Sequence, residues 1–187
     1  FASCDGDPIR LLTVASLTRR KAHDVIIDAL APLKSIPWQS RFVGGKDFDP
    51  AWAAGLEKRV NLLGLSHRIQ FVGSVENTQV EYQQADVFVL PSRFEGYGMV
   101  FAEALAAGLP VLAARSGAVP DVVPETAGLL VAPDDTQALT EALRQILTSE
   151  ALRRRLQAGA RQAAATLPTW TDAATIVALK LEEVSSS

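Results

Sequence analysis

Six short apolar runs, separated by helical patterns, restrict the fold of this chain more than any other feature. They are "RLLTVA" (10–15), "WQSRFVGG" (38–45), "RIQFVG" (68–73), "DVFVL" (86–90), "PVLAA" (110–114) and "GLLVA" (128–132). Most are continuous rather than alternating, so they read as strands covered on both faces, the condition of a parallel sheet between helix layers. Between the first two lies "AHDVIIDALAPL", which puts Val25, Ile26, Ala29, Leu30 and Leu33 on one helical face. "PAWAAGLEKRVNLLGL" (50–65) opens with a proline, tolerated in a first turn, and closes near Gly64, a good residue beyond a helix end. "NTQVEYQQA" predicts a short helix, and residues 98–107 another. Asp134 and Gln137 have the spacing of a capping box opening a helix over 135–147, while "RSGAVPDVV" reads as a loop. Ser149 and Thr169 are suited to cap two further helices. Right-handed crossovers then give an α/β fold, a Rossmann-like doubly wound parallel sheet of about six strands, with ligands held beyond the strands' carboxyl ends.

Composition excludes several functional classes. At 187 residues the chain suits one good-sized domain, and a net charge of −3 offers no bulk attraction to nucleic acid or an anionic membrane. The single cysteine, Cys4, rules out an internal disulfide, and two histidines, His23 and His67, are too few for a zinc site and read as surface residues. No run reaches membrane-spanning length and no signal-peptide pattern appears, so a cytoplasmic location is expected. A start at Phe1 rather than methionine suggests a fragment or a processed chain.

The chemistry concentrates in "RFEGYGMVFAE", Arg93 to Glu103, which leaves the fourth strand and enters a helix. Gly96 and Gly98 let the backbone approach a ligand, and the helix start presents free N–H groups with a partial positive charge. That suits a phosphate or diphosphate, with the N–H groups of Gly98, Met99 and Val100 as donors. Glu103, one turn into the helix, can accept hydrogen bonds from a vicinal diol such as a ribose, and Glu95 can do the same for a sugar beyond the phosphates. On this local chemistry alone a plainer account stays open, in which Glu95 complements the helix dipole, Glu103 is solvated and the glycines only make a turn.

The longer stretch "PSRFEGYGMVFAEALAAGLPVLAARSGAVPDVV" resembles the signature region of the retaining, family 4 (group 1) glycosyltransferases. Glu95 and Glu103, with seven residues between them, match the family's glutamate pair. "LTRRKAHDVIIDAL", "RIQFVGSV", "ADVFVLPS" and "AGLLVAPDDTQALTEAL" extend the resemblance over roughly residues 10–170. It implies one half of a GT-B fold, the carboxy-terminal domain that binds a nucleotide-sugar donor, in a metal-independent hexosyltransferase. It also implies that Glu103 holds the ribose, Glu95 lies near the anomeric centre, and the backbone at Gly98, Met99 and Val100 holds the diphosphate. An amino-terminal domain of the same full-length protein would bind the acceptor. Residues 1–8 are then an interdomain linker, 9–168 the donor domain, and 169–187 a helix suited to pack on the other half.

The match departs from the family at one cation. Where the resemblance implies an arginine and then a lysine on the diphosphate, this chain has Ser16 and Lys21. Ser16 donates at most one neutral hydrogen bond; Arg19 or Arg20 could replace the missing charge, or both could be solvated loop residues. "SGAVPD" also departs, at Ser116 and Asp121, from the family's Gly-Gly-x-Pro-Glu. Base recognition is expected around Val72 to Asn77. Asp5/Asp7 and Asp47/Asp49 spell a D-x-D pattern, but lie in linker and turn contexts where aspartates serve backbone N–H groups, so no metal and no other cofactor is expected. Arg153 to Arg155 reads as a solvated face, and Trp38, Trp52 and Trp170 as core or interface anchors. Two alternatives to a transferase are a nucleotide-binding module without catalysis and a nucleotide-sugar epimerase of similar fold, the latter disfavoured by the glutamate pair.

Overall fold

The computed structural model describes residues 1–96 and 98–166. Six parallel strands form one sheet: β1 (Ile9–Val14), β2 (Trp38–Val43), β3 (Ile69–Gly73), β4 (Val87–Leu90), β5 (Val111–Ala114) and β6 (Gly128–Val131). Their spatial order is β3-β2-β1-β4-β5-β6, the doubly wound arrangement expected. The helices are α1 (His23–Leu30), α2 (Pro50–Leu62), α3 (Thr78–Gln84), α4 (Met99–Ala106), α5 (Val119–Val122), α6 (Thr136–Thr148) and α7 (Glu150–Ala164). The expected loop 115–123 therefore contains a short helix, α5, with Pro120 in its first turn. Thr169, Trp170 and the helix expected over 169–187 lie outside the described residues.

Alternate residues of the central strands feed two separate cores. Ile9, Leu11, Val87, Val89 and Leu112 face the layer built by α1, α2 and α6, where Ile26, Leu30, Leu56, Leu143 and Ile146 are buried. Leu12, Val14, Phe88, Leu90, Val111 and Ala113 face the other, which holds Tyr82, Phe101, Leu105, Val119 and Ala160. Each large apolar side chain removed from water in this way stabilises the fold by about 1.5–3 kcal/mol before conformational entropy is set against it. β1 and β4 share only two register pairs, Leu11↔Val87 and Leu12↔Phe88. The buried Thr13 hydroxyl lengthens this contact by donating to the Val89 carbonyl at 2.7 Å.

Residues 1–8 form no helix or strand of any length, yet Ala2 and Cys4 are buried in the second core. Ala2 N donates to Ala107 O at 2.9 Å, and Gln157 Nε2 donates to Ala2 O at 2.8 Å. The fully buried Asp86 carboxylate accepts from Gly6 N at 3.1 Å, from Arg10 N at 2.7 Å and from two nitrogens of the Arg10 guanidinium, each at 2.8 Å.

Three expectations about polar residues need correction. Asp135, not Asp134, caps α6 by accepting from Ala138 N at 2.8 Å; Asp134 takes φ of 59° and turns its carboxylate elsewhere. Arg153 is not solvated: it is buried and donates to the carbonyls of Ile146 (2.8 Å) and Leu147 (3.1 Å), satisfying the open end of α6. His23 is not a surface residue either. It is 0% exposed, packs edge-on against Phe42 at 5.1 Å between ring centroids, and neither ring nitrogen has a hydrogen-bond partner among the described residues.

Burial is the main reason the His23 imidazole is pushed down to a pKa of about 4, with Lys21 adding to the effect and Asp24 opposing it. The unfolded chain, titrating near an ordinary ~6.5, takes up the proton first as pH falls. The His23 contribution is therefore constant above about pH 6.5, falls between there and about pH 4, and levels off below. Denaturant unfolding should show a His23-specific loss of about 2 kcal/mol between pH 7 and pH 5. His23→Leu should abolish that component of the pH slope with no loss of stability at pH 7; a slope unchanged in the variant would assign the acid sensitivity to other groups.

Candidate functional site

The strand order reverses between β1 and β4, so the connections leaving their carboxyl ends run to opposite faces of the sheet. A crevice opens between them, the position where ligands sit in open α/β sheets. Lys21 comes from the first connection and Glu95 from the second. Lys21 ends a single 3₁₀ turn, Arg19–Lys21, and is followed by Ala22 in the left-handed region at φ 54°, ψ 37°. For a residue with a Cβ that conformation costs roughly 1–2 kcal/mol, so surrounding contacts must hold the turn.

Across the crevice Lys21 Nζ donates to Glu95 Oε2 at 2.7 Å, with both side chains only 10% exposed. Arg20 Nη1 donates to the Phe94 carbonyl at 3.0 Å and stands 3.7 Å from Glu95 Oε1. Each oxygen of the Glu95 carboxylate thus faces a cation. Removing one member of such a buried pair leaves a charge uncompensated, which typically costs about 3–5 kcal/mol.

The connection after β5 supports this turn from below. Ser116, buried, donates from Oγ to the Ser92 carbonyl at 2.7 Å, and Ala118 N donates to the Glu95 carbonyl at 3.0 Å. Between them Gly117 has φ of 54°, and a Cβ there would sit 1.9 Å from Glu95 O. Only glycine lets the two backbones meet, so the departure at Ser116 contributes a hydrogen bond beneath the site while Asp121 is exposed on α5.

α4 starts at the same edge. Its N-cap, Gly98, is left-handed at φ 74°, ψ 35°, and no side chain caps the helix. Phe101 N donates to the Gly98 carbonyl at 2.9 Å, and the N–H groups of Met99 and Val100 before it, which lack intrahelical partners by geometry, can meet an anion. Met99 there is 46% exposed. Glu103, one turn on, is exposed but not free: its Oε2 accepts from the Tyr82 hydroxyl of α3 at 2.8 Å. Burial, reinforced by the Glu103 charge, raises the Tyr82 phenol far above its ordinary range, so it stays protonated and remains a donor. A cavity of about 350 Å³ adjoins this pair, lined by Gln79, Tyr82, Gln83 and Glu103 with Phe1 and Ala106–Ala107. A larger hollow of about 470 Å³, between α7 and the loop before β6, lies at the opposite end of the strands and has Glu125 and Arg155 as its charged groups.

The structure thus brings together Lys21, Arg20 and Glu95, and puts Gly98, Met99, Val100 and Glu103 on the adjoining helix. Ser16, half-buried at the end of β1, uses its carbonyl to accept from Thr18 N at 2.8 Å. Asp49 of the D-x-D pairs caps α2 by accepting from Trp52 N at 3.0 Å. Among the described residues no three His, Cys, Asp or Glu side chains form a group able to hold a metal ion. Sequence reasoning missed Tyr82, as partner to Glu103, and Arg93, which ties the two sides of the crevice together.

The sequence profile of the family "Glycosyl transferases group 1" matches residues 3–163. The chain belongs to the group 1 glycosyltransferases. Among curated relatives, it is 38% identical over 191 residues to a D-inositol 3-phosphate glycosyltransferase of Corynebacterium diphtheriae, covering 97% of this chain and 44% of that one. The solved structure of sucrose-phosphate synthase from Thermosynechococcus elongatus superposes with a TM-score of 0.86 at 34% identity, covering 98% of this chain and 47% of that one. Anabaena Alr3699/HepE, solved in complex with UDP-glucose, superposes with a TM-score of 0.78 at 25% identity, covering 96% and 49%. This group 1 glycosyltransferase chain spans less than half the length of the curated relatives it matches.

The backbone contact beneath Glu95 gives a direct test of the site's construction. Gly117→Ala should destabilise the fold by about 2 kcal/mol or more, because the methyl group meets a carbonyl and the left-handed conformation becomes strained. Gly96→Ala, whose Cβ would meet nothing within 4 Å, should stay within about 1 kcal/mol of the parent. Chemical denaturation of the two variants side by side makes the comparison; equal effects would remove the special role of Gly117.

Proposed function

We propose that this chain is the carboxy-terminal, donor-binding domain of a retaining, metal-independent family 4 glycosyltransferase that transfers a hexose-type sugar from a nucleoside diphosphate. The observation that carries the reading is the Lys21–Glu95 pair set in the crevice of the doubly wound sheet, beside a helix start that no side chain caps. The relatives and the fold support it: Alr3699/HepE was solved with UDP-glucose, a donor of the class proposed.

In this reading the diphosphate lies on the N–H groups of Gly98, Met99 and Val100 and meets the ammonium of Lys21. An ammonium has three donors, so Lys21 can keep its bond to Glu95 while turning the others to phosphate oxygens. Arg20, already within 3.7 Å of Glu95, supplies the second cation that Ser16 does not. As the glycosidic bond to the diphosphate breaks, negative charge grows on the leaving group, and fixed positive groups stabilise that charge without reorganising. Glu95 faces the sugar near its anomeric carbon, and the acceptor attacks on the face the diphosphate leaves. Glu103 accepts from the ribose hydroxyls; Tyr82 occupies one of its oxygens and so fixes the direction of the other. Backbone groups around Val72 to Asn77 read the base. Residues 1–8 connect to an amino-terminal domain that supplies the acceptor site, and the whole protein acts in the cytoplasm.

Three measurements test this. Lys21→Ala should weaken a nucleoside diphosphate far more than the bare nucleoside, since only the former carries the charge; equal losses would remove Lys21 from the site. Glu103→Gln should lower affinity for both by about 1–3 kcal/mol, and unchanged affinity in a folded variant would return Glu103 to the solvent-facing role. Residues 1–187 alone should bind nucleoside diphosphates at about 0.1–1 mM by calorimetry and transfer no sugar, because holding an acceptor and excluding water need the opposite wall of a cleft. Robust transfer by this chain alone would overturn the two-domain part of the proposal.

A further inference from the structure

Arg93 lies two residues before Glu95, yet its contacts go mainly to the other side of the crevice. Its guanidinium grips Asp24 in the first turn of α1 with both terminal nitrogens, Nη1 to Oδ1 at 3.1 Å and Nη2 to Oδ2 at 2.8 Å. Nη1 also donates to the Arg19 carbonyl, and Nε pairs with Asp134 Oδ1 at 2.8 Å. The Arg93 backbone N donates to the Arg20 carbonyl at 2.9 Å. One residue thus joins the turn that carries Lys21, the helix that follows it, the turn that carries Glu95 and the connection between β6 and α6.

The partners are shaped for this purpose. Asp134 adopts a left-handed conformation and leaves the capping of α6 to Asp135, which places its own carboxylate on Arg93. The Lys21 turn is bounded by a strained Ala22 and has no side-chain cap, and its own bonds are local: Lys21 N to Thr18 O at 3.1 Å and Ala22 N to Arg19 O at 3.2 Å. Local bonds fix the shape of a turn but not its position relative to a strand on the far side of the crevice. The bonds that set that position come from Arg20 to the Phe94 carbonyl, from the Lys21–Glu95 pair and from Arg93. Of these only Arg93 also anchors on α1 and on the connection before α6, its planar guanidinium gripping Asp24 with two parallel bonds while still reaching the Arg19 carbonyl and Asp134.

We propose that Arg93 is the positioning residue that sets the Lys21 turn against the Glu95 turn, and so holds the two charges in the register that receives the donor diphosphate. The positioning itself is independent of any ligand; its consequence for the diphosphate rests on the function proposed above.

Two measurements separate these parts. The first is acetylation of the folded chain with limiting acetic anhydride, followed residue by residue by mass spectrometry. In the parent protein Lys21, buried and paired, should react far more slowly than the exposed Lys34 and Lys58. In Arg93→Gln, Lys21 should react about tenfold faster, as expected for loss of a contact network, while Lys34 and Lys58 keep their parent rates. A matching rise at the half-buried Lys46, which pairs with Glu57 away from Arg93, would mark a general loosening and overturn the proposal, as would a Lys21 rate unchanged in the folded variant. Asp24→Asn, which keeps the shape and removes one charge, provides a milder variant should Arg93→Gln not fold, with the same expected direction and the same overturning result.

The second is a double-mutant cycle on the affinity for UDP, GDP and ADP. Arg93→Gln should weaken whichever diphosphate the parent protein binds by about tenfold, and by less than about twofold in a Lys21→Ala background, because Arg93 acts through Lys21. Additive losses would make Arg93 a merely structural residue and overturn the proposal. If the parent protein binds none of the three, the function proposed above fails, and the acetylation rates still decide whether Arg93 positions Lys21.

Discussion

Burial of the central strands on both faces is the constraint on which the rest of this structure depends. β4 and β5 are buried at every position, and β1 at every position but the half-buried Arg10. Side chains within such strands are committed to packing, so chemistry can be placed only where the strands end. Covering both faces also forces connections to both sides of the sheet, and the order must then reverse somewhere. It reverses between β1 and β4, and that junction is where two backbone turns can face each other with room between them. The Lys21–Glu95 pair follows from the architecture as much as from the local sequence.

Continuous apolar runs carried nearly all of the fold information, because a strand buried on both faces writes its requirement into every residue. β1 to β6 and most helices are legible for that reason, as are caps such as Ser149 and Asp49, whose partners lie three residues away. Within the site, the helix start at Gly98 was legible from its glycine and from the strand before it. What could not be read are contacts between residues far apart in sequence. Arg93 and Asp24, Tyr82 and Glu103, and Gly117 and Glu95 have no periodic relation, and each depends on how the sheet brings connections together. Composition misleads in the same way: His23 and Arg153 are polar by type but buried, the first by helix packing against Phe42 and the second because the end of α6 needed donors.

The Glu95 carboxylate is paired with Lys21 and flanked by Arg20. Under the function proposed above, an arriving diphosphate would enter a site in which Lys21 is desolvated and both cations are oriented in advance by an internal anion. Its binding would redistribute existing contacts among three partners instead of gathering flexible side chains from solvent. Pre-oriented charge of this kind favours a fixed geometry over raw attraction, since part of the attraction is already spent within the protein.

Asp86 has a bearing on mechanics. Its carboxylate clasps Gly6 and Arg10 at the amino end of β1 and stands directly before β4, the strand beside β1 at the sheet's centre. A pull on the first residues would not be absorbed as slack. It would be taken up first where Ala2 is tied to Ala107 and Gln157, and then at the Asp86 clasp beside the junction of β1 and β4. The amino-terminal segment is thus bonded, through Asp86, to both of the strands whose far ends lead to Lys21 and Glu95.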